Sequence, residues 1–110
     1  MREIKFRAWD KRFKKMIYSS PMAILYLNND DHIIMQYTGL LDKNSKEIYE
    51  GDILDNIPQM IKVCWDSIGG KWFGHYVDKK RTSSFWMGEE FKNYEVIGNI
   101  YENSDCLKEV

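Results

Sequence analysis

The sequence predicts a mainly β fold, α+β at most, built as a small antiparallel β-barrel or a curled sheet. Short segments of alternating apolar and polar residues recur along the chain, separated by turn-forming residues, and little helical periodicity lies between them. Aromatic residues make up 15% of the 110 residues, enough large rings to fill a small core and more than disordered chains contain. We expect a single domain over residues 1–110, since a chain of this length forms one hydrophobic core.

An N-terminal hairpin is expected to begin the fold. Apolar and charged residues alternate from Glu3 to Trp9, which is the period of a half-buried strand. A second strand is predicted at Lys15 to Tyr18, after a polar turn that begins at Asp10. The inner face of the first strand would carry Ile4, Phe6 and Ala8, and the outer face Lys5, Arg7 and Trp9.

The middle of the chain is predicted to form short strands joined by turns. The apolar stretch 22–27 fits either a strand or a helical turn. A polar reversal is expected over 42–46, and Gly51 stands at a corner where a positive φ is easiest for glycine. The strands predicted in this region lie over 32–38, at 48–49 and from Ile53 to near Pro58.

The clearest predicted hairpin lies in the second half of the chain. Two aromatic-rich strands, 60–66 and 71–77, flank a Gly-Gly reversal. A polar loop is expected over 78–84, followed by one short helix near residues 84–91 and a final strand over 94–101.

Charge is unevenly distributed along a chain whose formal net charge is only −1. Residues 1–15 hold seven bases and two acids, whereas residues 28–55 and 89–110 are acidic. Such an asymmetry fits pairing of the two surfaces within one molecule, association between copies, or contact of the basic end with nucleic acid. The sequence leaves these three alternatives open.

The two cysteines, Cys64 and Cys106, stand too far apart for a zinc ribbon or a disulfide-rich framework, which favours a reducing compartment. The charged N-terminus lacks the apolar core of a signal peptide. No apolar run approaches the roughly 18 residues of a membrane span. We therefore expect a cytoplasmic protein with no membrane partner.

Two small clusters are candidates for chemistry, and a structural role is the favoured interpretation of each. Glu50 and Asp52 could place two carboxylates on one strand face, for acid–base work or for a divalent cation. Cys64 and His75 could be cross-strand neighbours, with His32 as a third zinc ligand, but their spacing is looser than that of zinc sites. No nucleophile or phosphate-binding motif is present. We expect neither an enzyme nor a bound cofactor or metal.

Basic residues interleave with aromatic rings in the N-terminal hairpin, a combination with which single-strand binders stack bases and contact phosphates. The acidic middle and tail would repel a second phosphate track, so nucleic-acid binding ranks below protein binding. The candidate nucleic-acid contacts are Lys5, Arg7, Lys11, Arg12, Lys14 and Lys15.

Three ordered motifs stand out: REIKFRAWD at residues 2–10, MQYTGLLDKNSKEIYEGDIL at 35–54 and YEVIGNIYEN at 94–103. Together with Val63–Asp66, they resemble the YopX family of phage and prophage proteins. Ser45 stands where that family usually has glycine. The matching positions, which we expect to be structural, include Trp9, Asp10, Gln36, Tyr37, Thr38, Gly39, Tyr49, Gly51, Asp52, Trp65, Gly98 and Asn99.

The resemblance implies a phage or prophage product in the cytoplasm of a bacterial host, with a mostly β fold and no activity to carry over. Our hypothesis is a non-enzymatic accessory protein that binds an unknown protein of the phage or host, or that assembles into a homo-oligomer. The alternative is a nucleic-acid-binding protein that uses the basic N-terminal hairpin.

Overall fold

The computed structural model of the chain describes residues 3–27, 30–56, 59–77, 84–86 and 89–103. These segments form nine strands, one α-helix and one 3₁₀ helix, and the predicted mainly β class is confirmed. In chain order they are β1 (Phe6–Asp10), β2 (Lys15–Tyr18), α1 (Pro21–Leu25), β3 (His32–Leu41), β4 (Glu47–Tyr49), β5 (Asp52–Asn56), β6 (Gln59–Asp66), β7 (Lys71–Tyr76), β8 (Ser84–Trp86), the 3₁₀ helix (Glu89–Asn93) and β9 (Glu95–Asn99).

The strands form two antiparallel sheets. Sheet 1 has the strand order β2-β1-β3-β4, and sheet 2 has the order β8-β7-β6-β5-β9. One of the sheets curls into a half-barrel, as the sequence predicts. The turn between β4 and β5 carries the chain from the first sheet to the second.

Both predicted hairpins are confirmed. β1 and β2 pair with Ala8 opposite Ile17, and β6 and β7 pair with Trp65 opposite Trp72. Gly70 has a φ of +66° at the second reversal, a left-handed conformation that glycine adopts without steric penalty. Local turn chemistry and alternating residues are therefore sufficient to specify these two pairings.

The apolar stretch that fits either a strand or a helical turn forms α1. The Ser20 hydroxyl caps this helix by accepting a hydrogen bond from the Ala23 amide at 3.3 Å. Pro21 is its first residue, where the missing amide hydrogen has no consequence. Ile24 is fully buried, and the helix lies against β1. No helix in the described segments is long and apolar enough to cross a membrane.

The helix predicted near residues 84–91 begins later than expected. Its first half is wrong, because Ser84–Trp86 forms strand β8 and pairs with β7, with Phe73 opposite Trp86. The 3₁₀ helix then spans Glu89–Asn93. Pairing with the edge of sheet 2 outweighs a weak local helix preference. Most of the predicted loop over 78–84 lies outside the described residues.

The first strand, β1, is buried on both faces, so its predicted outer face is wrong. Arg7 is 3% exposed and Trp9 is 9% exposed, whereas Ile4, predicted to face inwards, is 62% exposed. β1 lies between β2 and β3, with α1 against it, and Trp9 stacks on Tyr101 at 5.8 Å between ring centroids. The alternation of residues cannot reveal that a second layer covers the more polar face.

Strand β3 continues past its predicted end through a bulge. Its pairing with β4 shifts between Tyr37 and Leu41, and Gly39 has a φ of +86° there. The Thr38 hydroxyl donates to the Ile48 carbonyl at 2.7 Å and accepts from the Leu40 amide at 3.1 Å. Thr38 therefore replaces the ladder bonds that the bulge removes.

The turn after β3 is fixed by Asp42, which also reaches the other sheet. One carboxylate oxygen accepts from the amides of Asn44 and Lys46, both at 2.8 Å, and the other accepts from the Val96 amide at 2.9 Å. Burial raises the pKa of Asp42, but these three hydrogen bonds outweigh it and lower the pKa overall. Ser45 has a φ of +64° in this turn, so the residue that replaces the family's usual glycine keeps a left-handed conformation.

The main hydrophobic cluster lies within sheet 2 and where β4 meets it. Phe91 of the 3₁₀ helix stacks on Tyr94, with 5.2 Å between the ring centroids, and closes one side of this cluster. The buried members are Ile48, Leu54, Ile61, Val63, Trp72, Phe91 and Tyr94.

Candidate functional site

A cleft of about 450 Å³ opens between the two sheets. Sheet 1 contributes Arg7, Tyr18 and Tyr49 to its walls, and sheet 2 contributes Asp52 and the segment 96–99. These residues come from all three regions that carry the resemblance or lie next to them. Motifs that are distant in the sequence therefore meet at one place in the fold.

Arg7 forms the floor of the cleft. Its Nη2 atom donates to Asp52 Oδ1 at 2.8 Å and to the Glu50 carbonyl at 3.1 Å, and its Nη1 atom lies 3.5 Å from the Tyr18 hydroxyl oxygen. The guanidinium carbon lies 4.7 Å from the centre of the Tyr49 ring. Because a buried charge needs a partner, Arg7 ties sheet 1 to the turn that leads into sheet 2.

Asp52 completes this ion pair and shapes the turn between β4 and β5. Its second oxygen accepts from the Tyr49 amide at 2.7 Å. Burial raises the pKa of Asp52, while Arg7 and the Tyr49 amide act against this rise. Gly51 has a φ of +86°, as the sequence predicts, and a Cβ atom there would lie 3.3 Å from Met35 Sδ.

Asn99 organises the rim of the cleft on the side of sheet 2. Its side-chain oxygen accepts from the amides of Tyr101 and Glu102 at 3.0 and 2.8 Å, and its amide group donates to the Glu102 carboxylate at 2.9 Å. Asn103 turns back to accept from the Asn99 backbone amide at 3.2 Å. A Cβ atom on Gly98 would clash with the Asn103 side chain, so the position that Asn103 adopts here depends on glycine at residue 98.

Three of the six candidate nucleic-acid contacts form ion pairs, and the exposed one of these, Arg12, lies 3.7 Å from Asp31. Lys5 pairs with Glu3 and Glu47, and the hydrogen bond to Glu47 is the largest cause of its raised pKa. Arg7 is buried in the ion pair with Asp52, so its predicted place on an exposed basic face is wrong.

Arg12 and the three remaining candidates meet at the turn between β1 and β2, and together with Phe13 we call them the basic tip. Its residues are Lys11, Arg12, Phe13, Lys14 and Lys15, all of them exposed. The ring of Phe13 is 67% exposed, with the Arg12 guanidinium 5.5 Å and the Lys15 ammonium 5.8 Å from its centre. Asp10 holds the turn by accepting from the amides of Arg12 and Phe13, and these hydrogen bonds lower its pKa.

Comparisons with known proteins identify the family. A family model described as YopX protein matches residues 22–108. The chain belongs to the YopX family. The crystal structure of protein EF1440 from Enterococcus faecalis is similar to this chain, with 25% sequence identity, a TM-score of 0.61, and coverage of 97% of this chain and 99% of that chain. No curated protein matches the sequence.

The YopX match begins at Met22, so β1 and β2 lie outside the matched residues. Because the similarity to EF1440 covers 97% of the chain, the shared fold includes the N-terminal hairpin. The cleft is therefore lined both by YopX-matched segments and by this hairpin.

Most of the remaining YopX motif positions contact other parts of the fold. Tyr37 packs against Tyr49 at 5.5 Å between ring centroids, and the Gln36 carbonyl accepts from the Glu50 amide at 2.9 Å. Trp65 is 41% exposed and lies 4.7 Å from the Trp72 ring centre. Only Trp65 among these leaves a large apolar surface open to solvent.

The carboxylates of Glu50 and Asp52 do not share a site. Asp52 lines the cleft, whereas Glu50 lines a separate groove of about 250 Å³ with Lys62 and Cys64. Burial raises the pKa of Glu50, and that of the Cys64 thiol. The arrangement needed for a two-carboxylate metal site is therefore not formed, and the described residues include no group of three or more His, Cys, Asp or Glu side chains that could hold a metal.

The candidate zinc ligands are also dispersed. Cys64 lies opposite Phe73, and His75 lies opposite Lys62, so the two are offset by two residues along the hairpin. His32 belongs to sheet 1, where its Nε2 atom lies 3.5 Å from Asp10 Oδ2.

A surface that the sequence does not reveal lies on α1. Met22 is 63% exposed, Leu25 is 53% exposed and Tyr26, just after the helix, is 81% exposed. They occupy positions i, i+3 and i+4 and so lie on one side, away from the buried Ile24. We call these three residues the apolar helix face. The sequence shows their spacing, but it does not show whether other parts of the fold cover them.

Proposed function

We propose that this YopX-family protein is a non-enzymatic accessory protein of a phage or prophage that acts in the bacterial cytoplasm by binding another protein. The observation that carries this proposal is the apolar helix face, Met22, Leu25 and Tyr26, which the described fold leaves open to solvent. Large apolar side chains grouped on one surface are typical of protein interaction sites.

The residue types of this surface support a protein partner. Methionine and tyrosine are enriched at the centres of protein interfaces, and rings supply a large contact area at a small cost in side-chain entropy. Tyr18 of β2, at 62% exposed, and Phe13 of the basic tip, at 67% exposed, are further rings open to solvent in the segment that precedes α1.

The charge of the basic tip indicates the chemistry of the partner. Lys11, Arg12, Lys14 and Lys15 are exposed next in sequence to β2 and α1. A complementary surface would have an apolar centre for the helix face and acidic residues opposite the tip. We therefore propose an acidic protein surface of the phage or the host as the partner.

Capture from phage-infected or induced cells tests this function. The variant Leu25→Ser with Tyr26→Ser should lose the captured protein, because it removes two of the three apolar contacts. Ile68→Ser is the matched control, since Ile68 is 98% exposed at the β6–β7 turn. A partner that both variants retain, or that both lose, would contradict the proposal.

Self-assembly is the form of this function in which the partner is a second copy. Light scattering at low and high salt distinguishes it, because assembly through the basic tip should weaken as salt screens the charges. A monomer at both salt concentrations removes self-assembly and leaves a different protein as the partner.

Nucleic-acid binding is a second candidate, favoured by one specific feature of the basic tip. Arg12 and Lys15 lie beside the exposed Phe13 ring, which could stack on a base while the cations of the tip contact phosphates. Four of the six predicted cations are exposed for this role, Arg12 among them with Asp31 at 3.7 Å, whereas Lys5 and Arg7 are engaged within the fold.

Fluorescence anisotropy with single- and double-stranded DNA tests the second candidate. Four phosphate contacts imply a slope of about −3 to −4 for the logarithm of the binding constant against that of the salt concentration. Lys11→Glu with Arg12→Glu should abolish binding, whereas the charge-matched Lys71→Glu with Lys92→Glu should preserve it. No binding at low salt would rule this candidate out.

A further inference from the structure

Arg7 has unused hydrogen-bond donors at the floor of the cleft. A guanidinium group carries five N–H donors, and three contacts are made, with Tyr18, Glu50 and Asp52. The Nε atom is buried without a partner. The distance of 3.5 Å between Arg7 Nη1 and the Tyr18 hydroxyl oxygen is longer than that of an ordinary hydrogen bond. A buried cation with spare donors calls for a further acceptor.

The rim of the cleft adds a second cation, Lys46, beside the carboxylates of Glu47 and Glu102. Lys46 lines the cleft and is exposed, and its ammonium group forms no ion pair within the described part of the chain. Both oxygens of Glu47 are used, by Lys5 and by the Tyr49 hydroxyl. The Glu102 carboxylate accepts from the Asn99 side chain. Arg7 and Lys46 therefore keep donors that no described residue accepts from.

We propose that the cleft binds a carboxylate group, held by Arg7 Nη1, the Tyr18 hydroxyl and the Lys46 ammonium group. A carboxylate fits the planar donors of a guanidinium group and brings a single negative charge. A phosphate would bring up to two charges close to Asp52, Glu47 and Glu102, which would repel it more strongly than they repel the single charge of a carboxylate. A charge-assisted hydrogen bond to a carboxylate is ordinarily shorter than 3.5 Å. Binding would therefore draw Arg7 Nη1 and the Tyr18 hydroxyl towards the ligand.

The shape of the cleft accommodates two sources of carboxylate. Its volume of about 450 Å³ is that of a small-molecule site, so a free organic acid fits. Tyr18 is 62% exposed at its mouth and belongs to β2, close in sequence to the basic tip. An acidic side chain on a protein bound at that surface would reach the cleft by the same opening.

Two-dimensional ¹⁵N NMR of the full chain tests the carboxylate site, because the Arg7 Nε–H group gives its own signal. The probes are sodium acetate, an acetylated and amidated tripeptide with a central glutamate, and its glutamine counterpart, with sodium chloride as the control for ionic strength. Acetate should shift the signals of Arg7 Nε–H and of the amides of Tyr49 and Asn99, and chloride should not. Equal shifts with acetate and chloride, or none with either carboxylate, would overturn the proposal.

The two peptides distinguish the sources. Tighter binding of the glutamate peptide than of acetate indicates a protein-borne carboxylate, and binding of acetate alone indicates a free acid. The glutamine peptide should not bind in either case, since it lacks the charge; binding equal to that of the glutamate peptide would contradict the proposal.

Three variants locate the site without disturbing the Arg7–Asp52 pair. Tyr18→Phe keeps the ring and Lys46→Gln keeps most of the side chain, and each should weaken carboxylate binding about two- to five-fold, as expected for one exposed polar contact. Lys71→Gln, outside the cleft, should leave the affinity unchanged. Full affinity in both cleft variants would show that the carboxylate binds elsewhere. These measurements do not involve the apolar helix face, so failure here and failure of the proposed protein-binding function are distinguishable.

Discussion

At the scale of single residues, the buried pair of Arg7 and Asp52 has the largest structural consequence. Their side chains are 3% and 2% exposed, and they connect β1 with the first residue of β5. A buried ion pair adds little to stability compared with apolar residues of the same volume, but the loss of one partner leaves the other charge unpaired. The pair therefore contributes more to the relative position of the two sheets than to the free energy of unfolding.

Replacing one member of this pair should be severe. Arg7→Met is expected to lower the free energy of unfolding by about 3–5 kcal/mol, because Asp52 is then a buried and unpaired carboxylate. Urea unfolding measures the change. Arg12→Met is the matched control, since the Arg12 side chain is 64% exposed and lies 3.7 Å from Asp31, and it should cost less than about 1 kcal/mol. Equal effects of the two variants would contradict this account.

The sequence could identify the residues of the cleft but not their contacts. The motifs that carry the YopX resemblance contain Arg7, Tyr49, Asp52 and Asn99, yet Arg7 and Asp52 are 45 positions apart. Alternation placed Arg7 on a solvent-facing side, because a pattern within one strand contains no information about a second layer. The shared cleft is a property of how the two sheets dock.

At the scale of elements, the turns depend on side chains that replace missing backbone bonds. Asp10 caps the β1–β2 turn and Asn99 caps the turn after β9. These residues were expected to be structural, and their contacts lie within the fold. Gly98 contributes to the turn after β9, because its lack of a side chain leaves room for the Asn103 side chain to fold back.

A methyl group at Gly98 should displace this turn. Gly98→Ala places a Cβ atom 2.3 Å from Asn103 Oδ1, and we expect a loss of about 1–3 kcal/mol in the free energy of unfolding, with a shifted NMR signal for the Asn99 amide. Gly70→Ala provides the comparison, since nothing lies within 4 Å of its Cβ position. Its cost of about 1 kcal/mol would come from the positive φ alone. An unchanged Asn99 signal in Gly98→Ala would refute the clash.

Prediction from the sequence succeeded for elements that local chemistry specifies. Strand β2 begins at Lys15 and ends at Tyr18 as predicted, and the Gly-Gly hairpin has its expected turn. Prediction failed for segments whose structure depends on contacts with residues distant in the sequence. Residues 84–86 join the edge of sheet 2 although their local pattern permits a helix, and the stretch 22–27 fitted two structures equally until contact with β1 selected α1.

At the scale of the whole molecule, buried carboxylates make stability depend on pH in two opposite ways. The pKa values of Asp10 and Asp42 are lowered in the folded state, mainly by hydrogen bonds from backbone amides. Their contribution is present above about pH 4 and is lost as the pH falls through their folded pKa values. The raised pKa values of Glu50 and Asp52 act in the other direction, since folding then becomes more favourable as these groups bind protons.

The Asp42 contribution can be isolated by one substitution. Asp42→Asn should lower the free energy of unfolding by about 1–3 kcal/mol near neutral pH, since the amide nitrogen of asparagine only donates and the backbone amides at one of the two oxygen positions lose their acceptor. The variant should also lose less stability than the native chain between about pH 4 and pH 2, so that the two curves approach each other in acid. Chemical unfolding across this range measures both effects. Parallel curves would show that Asp42 does not contribute to acid sensitivity.

Asp42 and Asp52 have the same hydrogen-bonding pattern, in which the two carboxylate oxygens bond to different parts of the fold. In each, one oxygen bonds to the amides of its own turn, and the other bonds to the opposite sheet, through Val96 for Asp42 and through Arg7 for Asp52. The two oxygens of a carboxylate are rigidly linked, so a turn that loses its shape also releases the other sheet. Turn closure and sheet docking are therefore one cooperative event, and neither sheet is expected to behave as an independent folding unit.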